Sequence, residues 1–276
     1  MPADPSPDPA AGPSPAVTDP AAVARRLVDA RTSGHPLDVP LTDEVPLTLD
    51  DAYAVQREVT ALRAARGERI VGWKLGYTSA AMRAQMGIDE PNLGPLTDAM
   101  LLTAPGSSTA GVVPATALQP RVEPEIAVRL GRGLEPGCTV EDVAAAVDGA
   151  WAALEVVDSV WAGYRFRLED NTADGSSAAW VVLGEPVPVD DLPGLAVRLL
   201  VDDAEVAAAT GAAAGGHPLL GVAWLATQVV ARYGRPLAAG DVVITGGLTA
   251  AHPLAPGSVL AAEIGPGPAR VRVTRV

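Results

Sequence analysis

Lysine is almost missing from this sequence. Its 276 residues carry 20 basic side chains, and Lys74 is the only lysine among them; all the others are arginine. Cysteine is as scarce. Cys138 stands alone, which excludes an intramolecular disulfide framework and a cysteine-based zinc cluster, and makes the cytoplasm the default compartment. No apolar run reaches the roughly 18 residues that a membrane span requires. The N-terminus lacks the basic stretch and following apolar stretch of a secretory signal. The formal net charge is −13 and no basic stripe offsets it, so nucleic acid is not an expected partner. A Gly-x-Ser-x-Gly elbow and a P-loop are both absent. The three histidines, His35, His217 and His252, are far apart and none has zinc-ligand spacing; each precedes a proline and reads as fixing a loop.

What is present begins with an apolar fraction of 48%, which rules out disorder throughout. The length suits one large domain or two small ones. A chain so biased toward arginine can use arginine wherever a plain positive charge suffices. A retained lysine is then a candidate for proton transfer, because burial lowers a lysine pKa readily whereas arginine stays charged. Chance survival of a surface lysine accounts for the composition equally well.

Residues 1–18, mostly Pro, Ala, Ser and Asp, read as a disordered tail. Asp19 caps a helix to about Thr32, and Thr48 caps a second over Leu49–Ala65. Arg69–Tyr77 reads as a strand with Val71, Trp73 and Leu75 on one face and Gly72, Lys74 and Gly76 on the other. The two glycines leave bare backbone beside the amine, suited to close approach of a ligand. A short helix around Ser79–Met86 and a turn-rich loop, Gly87–Pro95, follow. Arg121–Leu130 alternates as a strand, and Pro124 within it points to an edge or bulged position. A helix over Val140–Asp148, strands over Ala153–Asp158 and Trp180–Leu183, and a hairpin turning at Asp202-Asp203 come next. Then come a helix over Leu219–Tyr233 and strands over Asp241–Thr245, Val259–Ile264 and Ala269–Val276. The fold class is α+β: a helical part over about residues 19–68 packed on a β-rich core over about 69–276, together one domain.

Glu123 and Glu125 project from one face of their strand, about 7 Å apart. Carboxylates so placed repel unless a cation lies between them, and oxygen-only ligands select a hard ion. Glu155, alone in an apolar strand, is the best third ligand, since burying an unpaired carboxylate costs several kcal/mol. Pattern alone accounts at least as well for a solvated strand face, with the two carboxylates paired to Arg121 and Arg129.

Read in order, several stretches resemble a known family. They are Gly72-Trp73-Lys74-Leu75-Gly76-Tyr77-Thr78-Ser79, Asp89-Glu90-Pro91, Gln119-Pro120-Arg121-Val122-Glu123-Pro124-Glu125, Ala153-Leu154-Glu155-Val156-Val157-Asp158-Ser159, Gly216-His217-Pro218-Leu219, and Ala239-Gly240-Asp241 leading to Thr245-Gly246-Gly247-Leu248-Thr249. From about Asp19 to the C-terminus the chain resembles the 2-oxopent-4-enoate (2-hydroxypenta-2,4-dienoate) hydratases and the 4-oxalocrotonate decarboxylases of the fumarylacetoacetate hydrolase superfamily. The resemblance implies a β-roll core, bound Mg²⁺ or Mn²⁺ on Glu123, Glu125 and Glu155, proton transfer by Lys74, and substrate contacts at Leu75, Glu90, Ser177 and Thr249. It also implies a homo-oligomer, able to associate with a paralogous decarboxylase or hydratase. One departure stands at Gly175, where the family commonly carries Asn.

The activity implied is metal-dependent addition of water to a 2-hydroxy-2,4-dienoate, giving a 4-hydroxy-2-oxo acid. The first alternative is decarboxylation of a 4-oxalocrotonate-type 2-oxo acid. Its second carboxylate calls for a further basic group, with Arg83, Arg165 and Arg167 as candidates. C–C hydrolysis of an acylpyruvate is a weaker alternative, because relatives of that kind use a His–Glu pair and residues 78–95 contain no histidine. A catalytically silent partner subunit is weaker still, given intact Lys74 and all three glutamates.

Overall fold

The computed structural model describes residues 19–79, 83–84, 88–103, 109–267 and 269–276. The expected N-terminal tail and most of the expected Ser79–Met86 helix lie outside them. Helix α1 (Pro20–Ser33) starts at Asp19, whose carboxylate accepts the Ala22 N–H at 2.9 Å, and ends at Gly34 in the left-handed region. A short α2 (Leu41–Glu44) leads to α3 (Leu49–Ala65), which carries a capping box between Thr48 and Asp51. These helices bury Ala24, Leu27, Ala52 and Val55 against Val160, Trp161 and Ala173.

The first sheet contains β1 (Ile70–Gly76), β2 (Asn92–Thr97), β4 (Arg121–Leu130), β5 (Val147–Val157), β6 (Ala178–Pro186), β9 (Val242–Ile244) and β10 (His252–Pro253). Its order is β2-β1-β9-β4-β5-β6, with β10 also on β4. The second contains β3 (Ala110–Val113), β7 (Ala196–Val201), β8 (Ala204–Thr210), β11 (Val259–Ile264) and β12 (Ala269–Arg275), in the order β3-β12-β11-β7-β8. The hairpin turn at Asp202 and Asp203 has φ 47° and 68°, as a tight turn between right-twisted strands requires. The described residues also include α4 (Val140–Ala146), α5 (Leu168–Ala173) and α6 (Pro218–Tyr233). His217 caps α6 by accepting the Leu219 N–H on Nδ1 at 3.1 Å, which bears out the structural reading of that histidine.

The period of two divides the first sheet into two working faces. Val122, Ile126, Val128, Leu154, Val156, Trp73 and Val243 point into the main core, which the second sheet and α6 close. The opposite face carries Ala127, Ala153 and Ile244 in a smaller cluster, and beside it Lys74, Glu123, Glu125 and Glu155.

Three expectations change here. The stretch read as a loop up to Pro95 contains strand β2, and β2 is an edge strand, where Pro95 costs no ladder bond. Pro124, expected at an edge or bulge, lies in an interior strand in regular register with Leu154. On its other side, β9 and β10 leave a gap, so its missing N–H faces loop rather than ladder; its carbonyl accepts the Leu248 N–H there at 3.0 Å. The helix expected over Val140–Asp148 stops at Ala146, and β5 begins at Val147, earlier than its expected start.

Candidate active site

Register brings the four ionisable groups together. Glu123 pairs directly across the ladder with Glu155. Lys74 reaches them across β9, which runs parallel to β1 and antiparallel to β4. Strand β9 has only three residues, so beyond Ile244 no strand separates β1 from β4. The chain turns out of the sheet there through Gly246, at φ 105°, and its N–H donates to Glu125 Oε2 at 2.7 Å.

One oxygen from each of Glu123, Glu125 and Glu155 lies within 4.8 Å of the others. Glu125 and Glu155 are fully buried, and Glu123 borders the cleft. The solvated-face alternative therefore fails, and the arginines it invoked are engaged elsewhere: Arg129 with Asp148, and Arg121 on the ring of Tyr164. Glu125 Oε1 and Glu155 Oε1 are buried without any hydrogen-bond partner. Orphaned carboxylate oxygens are costly in a dry interior, and three converging carboxylates fit a hard cation with metal–oxygen distances of about 2.0–2.6 Å.

Charge tells the same story. Burial, then the negative charge of Glu155, pushes Glu123 up to about 7 against the pull of Lys74. Burial and its two neighbours also push Glu125 well above the carboxylate range, and burial raises Glu155 against the opposing ammonium. Burial alone would lower Lys74, but Glu155, Glu123 and Glu125 outweigh it and hold the ammonium above its ordinary value. The depressed lysine expected from burial thus does not exist while the glutamates carry their charge alone.

A pH dependence follows from these shifts. Between about pH 4.5, the ordinary glutamate value, and about pH 7, the folded chain keeps a proton on Glu123 that the unfolded chain releases. The folded state then binds more protons, so its stability falls as pH rises through that window. Each retained proton contributes a slope of up to about 1.4 kcal/mol per pH unit. Lys74 adds no slope there, because it is protonated in both states. Calorimetric melting of the metal-free chain should show the decline, and added Mg²⁺ should offset it increasingly toward pH 7; a metal-free stability that is flat or rises over this range would contradict the assignment.

Lys74 makes one ion pair and two hydrogen bonds. Nζ lies 3.1 Å from Glu155 Oε2 and donates to the Ser176 carbonyl at 3.0 Å and to Ser176 Oγ at 3.1 Å. Ser176 Oγ donates to Asn92 Oδ1 at 2.9 Å, Asn92 Nδ2 donates to Asn171 Oδ1 at 3.1 Å, and Asn171 Nδ2 donates to Ser177 Oγ at 2.9 Å. This buried chain of amides and hydroxyls holds a turn in which Gly175, Ser176 and Ser177 all have positive φ, at 72°, 59° and 57°. Two non-glycine residues there cost of order 1–3 kcal/mol each, a form of strain that collects at functional sites. Gly175, where the chain departs from the pattern it resembles, takes this conformation without the Cβ penalty that the two serines bear. A Cβ at Gly175 would meet nothing within 4 Å, and the residue does not line the cleft.

The glycines beside Lys74 have a different use from the one expected. A Cβ on Gly72 would lie 1.9 Å from the Val242 carbonyl oxygen, and one on Gly76 would lie 2.2 Å from Asn92 Oδ1 and 2.5 Å from Ser176 Oγ. Both admit neighbouring protein, which lets Ser176 reach the amine, and Gly76 also lines the cleft. Gly247 performs the same service for Glu123: a Cβ there would stand 2.8 Å from Oε2 and 2.9 Å from Cδ. Gly247→Ala should therefore leave the fold intact but displace this carboxylate, weakening Mg²⁺ binding roughly ten- to hundredfold. Titration calorimetry checks this, and wild-type affinity would contradict it.

The cleft above these groups is lined by Tyr77, Thr78, Arg121, Tyr164, Phe166 and Ser177, among others. Of the expected substrate contacts, Ser177 lines it. Leu75 borders it, but its side chain is buried toward Gly221 of α6. Glu90 and Thr249 are not among the described residues that line it; the charge of Glu90 bears instead on the Tyr53 phenol. The arginines proposed for a second carboxylate are also placed elsewhere. Arg83 donates to the Tyr77 and Thr78 carbonyls, Arg165 to backbone carbonyls including that of Asp38, and Arg167 pairs with Asp43. Arg121 is the arginine that lines the cleft. Sequence reasoning missed Asn92, Asn171, Ser176 and Tyr164; an Asn inside a strand-length stretch of the supposed loop was the only available signal.

Comparison with known proteins agrees with this geometry. The family model for the fumarylacetoacetate (FAA) hydrolase C-terminal region matches residues 69–274. A 2-keto-4-pentenoate hydratase of Burkholderia vietnamiensis is 42% identical over 235 residues, 83% of this chain and 87% of that protein. A 4-oxalocrotonate decarboxylase of Pseudomonas putida is 37% identical over 241 residues, 86% of this chain and 89% of that protein. The solved 4-oxalocrotonate decarboxylase from Pseudomonas putida G7, complexed with magnesium and adipate, superposes with a TM-score of 0.87 at 32% identity, covering 95% of this chain and 100% of that one. The chain belongs to the fumarylacetoacetate hydrolase family. These relatives are hydratases and decarboxylases, and the chain is a lyase with the expected α+β fold. Among the described residues, no helix is long and apolar enough to cross a membrane.

Proposed function

We propose that the chain is a hydratase that adds water to a 2-hydroxy-2,4-dienoate to give a 4-hydroxy-2-oxo acid, with Glu123, Glu125 and Glu155 holding Mg²⁺ or Mn²⁺. The observation that carries this reading is the convergence of three glutamates, with buried carboxylate oxygens that lack a hydrogen-bond partner, beside a sole lysine whose Nζ lies 3.1 Å from Glu155 Oε2. The magnesium bound by the Pseudomonas putida G7 relative supports the ion, and the hydratase relatives support the reaction. The bound cation supplies Lewis-acid stabilisation of negative charge on the oxygens of a 2-oxo acid.

Lys74 does the proton work. Once the carboxylate charges are neutralised, nothing outweighs burial, and the lysine falls toward a value at which it can both take and give a proton. Ser176 and Glu155 fix the direction of Nζ. Lys74 takes the proton from the C2 hydroxyl and delivers one at C5, so that the dienol becomes a 2-oxo-3-enoate. Water then adds at its C4. Ser177 and Thr78 offer hydroxyls to orient the substrate, and Phe166 and Val157 exclude bulk water from its hydrocarbon part.

A second reading, decarboxylation of a 2-oxo dicarboxylic acid on the same machinery, is favoured by the presence of Arg121 in the cleft. Incubating the Mg²⁺-loaded chain with 2-hydroxypenta-2,4-dienoate and with 2-hydroxymuconate separates the two. Loss of dienoate absorbance with formation of the hydroxy acid supports the hydratase, whereas CO₂ release from the second substrate alone overturns it. A homo-oligomer and a cytoplasmic location are part of the same proposal, and light scattering of the purified chain tests the former.

A further inference from the structure

The turn that holds Lys74 is a wall between two clefts. Ser176 and Ser177 line the catalytic one, while Asp174, Gly175 and Ala178 line a second, open between α1, α3 and β2. Behind Gly175 lies a space of about 660 Å³ rather than packed side chains. The left-handed backbone of Ser176 and Ser177 is strained, so the turn needs anchors on both sides. On one side the Asp158 N–H donates to the Ser177 carbonyl at 2.8 Å. On the other, Arg31 of α1 reaches in from 143 residues earlier, and its Nη2 donates to Asp174 Oδ1 at 2.9 Å. The Val160 N–H donates to Asp174 Oδ2 at 3.1 Å. Arg31 Nη1 lies 4.0 Å from Asp158 Oδ2, and the Asp158 carboxylate is itself fixed by the Leu118 and Gln119 N–H groups at 2.9 and 2.7 Å. One guanidinium thus sits between the residues that flank the turn, and both of their carboxylates are buried. Burial pushes Asp174 up and Arg31 opposes it, so the carboxylate depends on this partner for its charge.

We propose that Arg31 is a positioning residue: its fork on Asp174 sets the turn at residues 175–177 against Lys74, so that helix α1 controls where Nζ points. This inference rests on the reading of Lys74 as the proton carrier. The route is short. It runs from Arg31 to Asp174, along strained backbone to Ser176, and through the two hydrogen bonds that Nζ donates to Ser176. Without the guanidinium, Asp174 is a buried carboxylate lacking its cation. It then turns toward the second cleft and its water, and Ser176 leaves the amine with it. A misplacement of about 1 Å is enough to cost on the order of 10²-fold in rate. Arg31 is not among the described residues that line the catalytic cleft, and it touches none of the three glutamates. Its loss therefore acts on proton transfer and spares the metal site.

The test exploits the sole lysine. A chain grown with lysine carrying ¹³C at Cε gives a single side-chain resonance, which reports the surroundings of the Lys74 amine without any turnover. In the Mg²⁺-loaded full chain, Arg31→Met should move that resonance toward the position of an exposed lysine. It should lower kcat roughly ten- to hundredfold while leaving KM within about threefold and Mg²⁺ affinity within about twofold of wild type. Arg31→Lys, read by turnover, should recover part of the loss, because it keeps the charge but not the fork. Should Arg31→Met not fold, the double variant Arg31→Met, Asp174→Asn leaves no buried charge unpaired and carries the same expectation. Leu27→Ala, one turn earlier on α1 and buried, controls for lost stability. It should lower Tm, yet below that Tm keep the wild-type resonance and kcat. An unmoved resonance in the Arg31 variant would overturn the proposal, as would a Leu27→Ala chain that loses turnover as far as Arg31→Met does. A resonance that moves while kcat stays unchanged would instead overturn the proton-transfer reading of Lys74.

Discussion

Lys74→Met should lose turnover by roughly 10²–10⁴-fold, the usual worth of a positioned general acid–base, while still binding Mg²⁺. The two effects separate because the lysine opposes the metal rather than holding it. Its ammonium lies 3.1 Å from Glu155 and competes with a cation for the same negative charge. Removing it should leave Mg²⁺ affinity equal to or above that of wild type. Lys74→Arg is the sharper variant. It keeps a positive charge beside Glu155, but arginine does not deprotonate, so proton transfer should fail as completely as with methionine. The space also resists the larger fork, since Ser176 and Glu155 already engage the amine and Gly94 lies against the Cγ of the same side chain. Steady-state turnover with calorimetric Mg²⁺ titration decides. A Lys74→Arg protein that binds Mg²⁺ and turns over at the wild-type rate would end the proton-transfer role.

Glu125→Ala should weaken Mg²⁺ binding by more than the ten- to hundredfold that loss of an outer-shell partner costs, and turnover should go with it. Glu125→Gln separates charge from shape, because the amide oxygen can still accept the Gly246 N–H that Glu125 Oε2 accepts at 2.7 Å. It should keep the melting temperature yet bind Mg²⁺ nearly as poorly as the alanine variant. Glu155→Ala differs in kind. It removes a ligand and also the first of the charges that hold Lys74 up, so its metal-free lysine should titrate below that of wild type. Retained Mg²⁺ affinity in a Glu123→Ala, Glu125→Ala double variant would remove the proposed ligands altogether.

How far these groups were legible in the sequence depended on how local the signal was. Strand β4 is legible with its observed bounds, Arg121–Leu130, and β11 with Val259–Ile264, because alternation is a property of consecutive residues. The capped helix α3 was equally plain from Thr48 and the acidic first turn. The two prolines show where local reading stops. The stretch ending at Pro95 reads as a loop and Pro124 as an edge or bulge, yet Pro95 lies in edge strand β2 and Pro124 in interior strand β4. Proline's missing N–H matters only where a neighbour would have used it, and the neighbours of both residues are set by distant parts of the chain. Helix α5 and strand β3 have no clear local signal, because a six-residue helix and a four-residue strand carry too little periodicity to register.

The sequence by itself determined that Glu123 and Glu125 share a face, that Glu155 is a carboxylate within an apolar strand, and that Lys74 is the one amine side chain available to them. All of this follows from backbone geometry with a repeat of two residues, and from composition. Only the tertiary structure decided that these faces meet. The three-residue strand β9 joins β1 to β4 and then leaves the sheet, opening the space in which amine and carboxylates converge. A left-handed turn at residues 175–177 closes over the amine, and the Tyr164 ring stacks on the Arg121 guanidinium. Pairing partners and their register are chosen by long-range packing, which no local period encodes; that is why the lone lysine was visible in the sequence while its charge state and its partners were not.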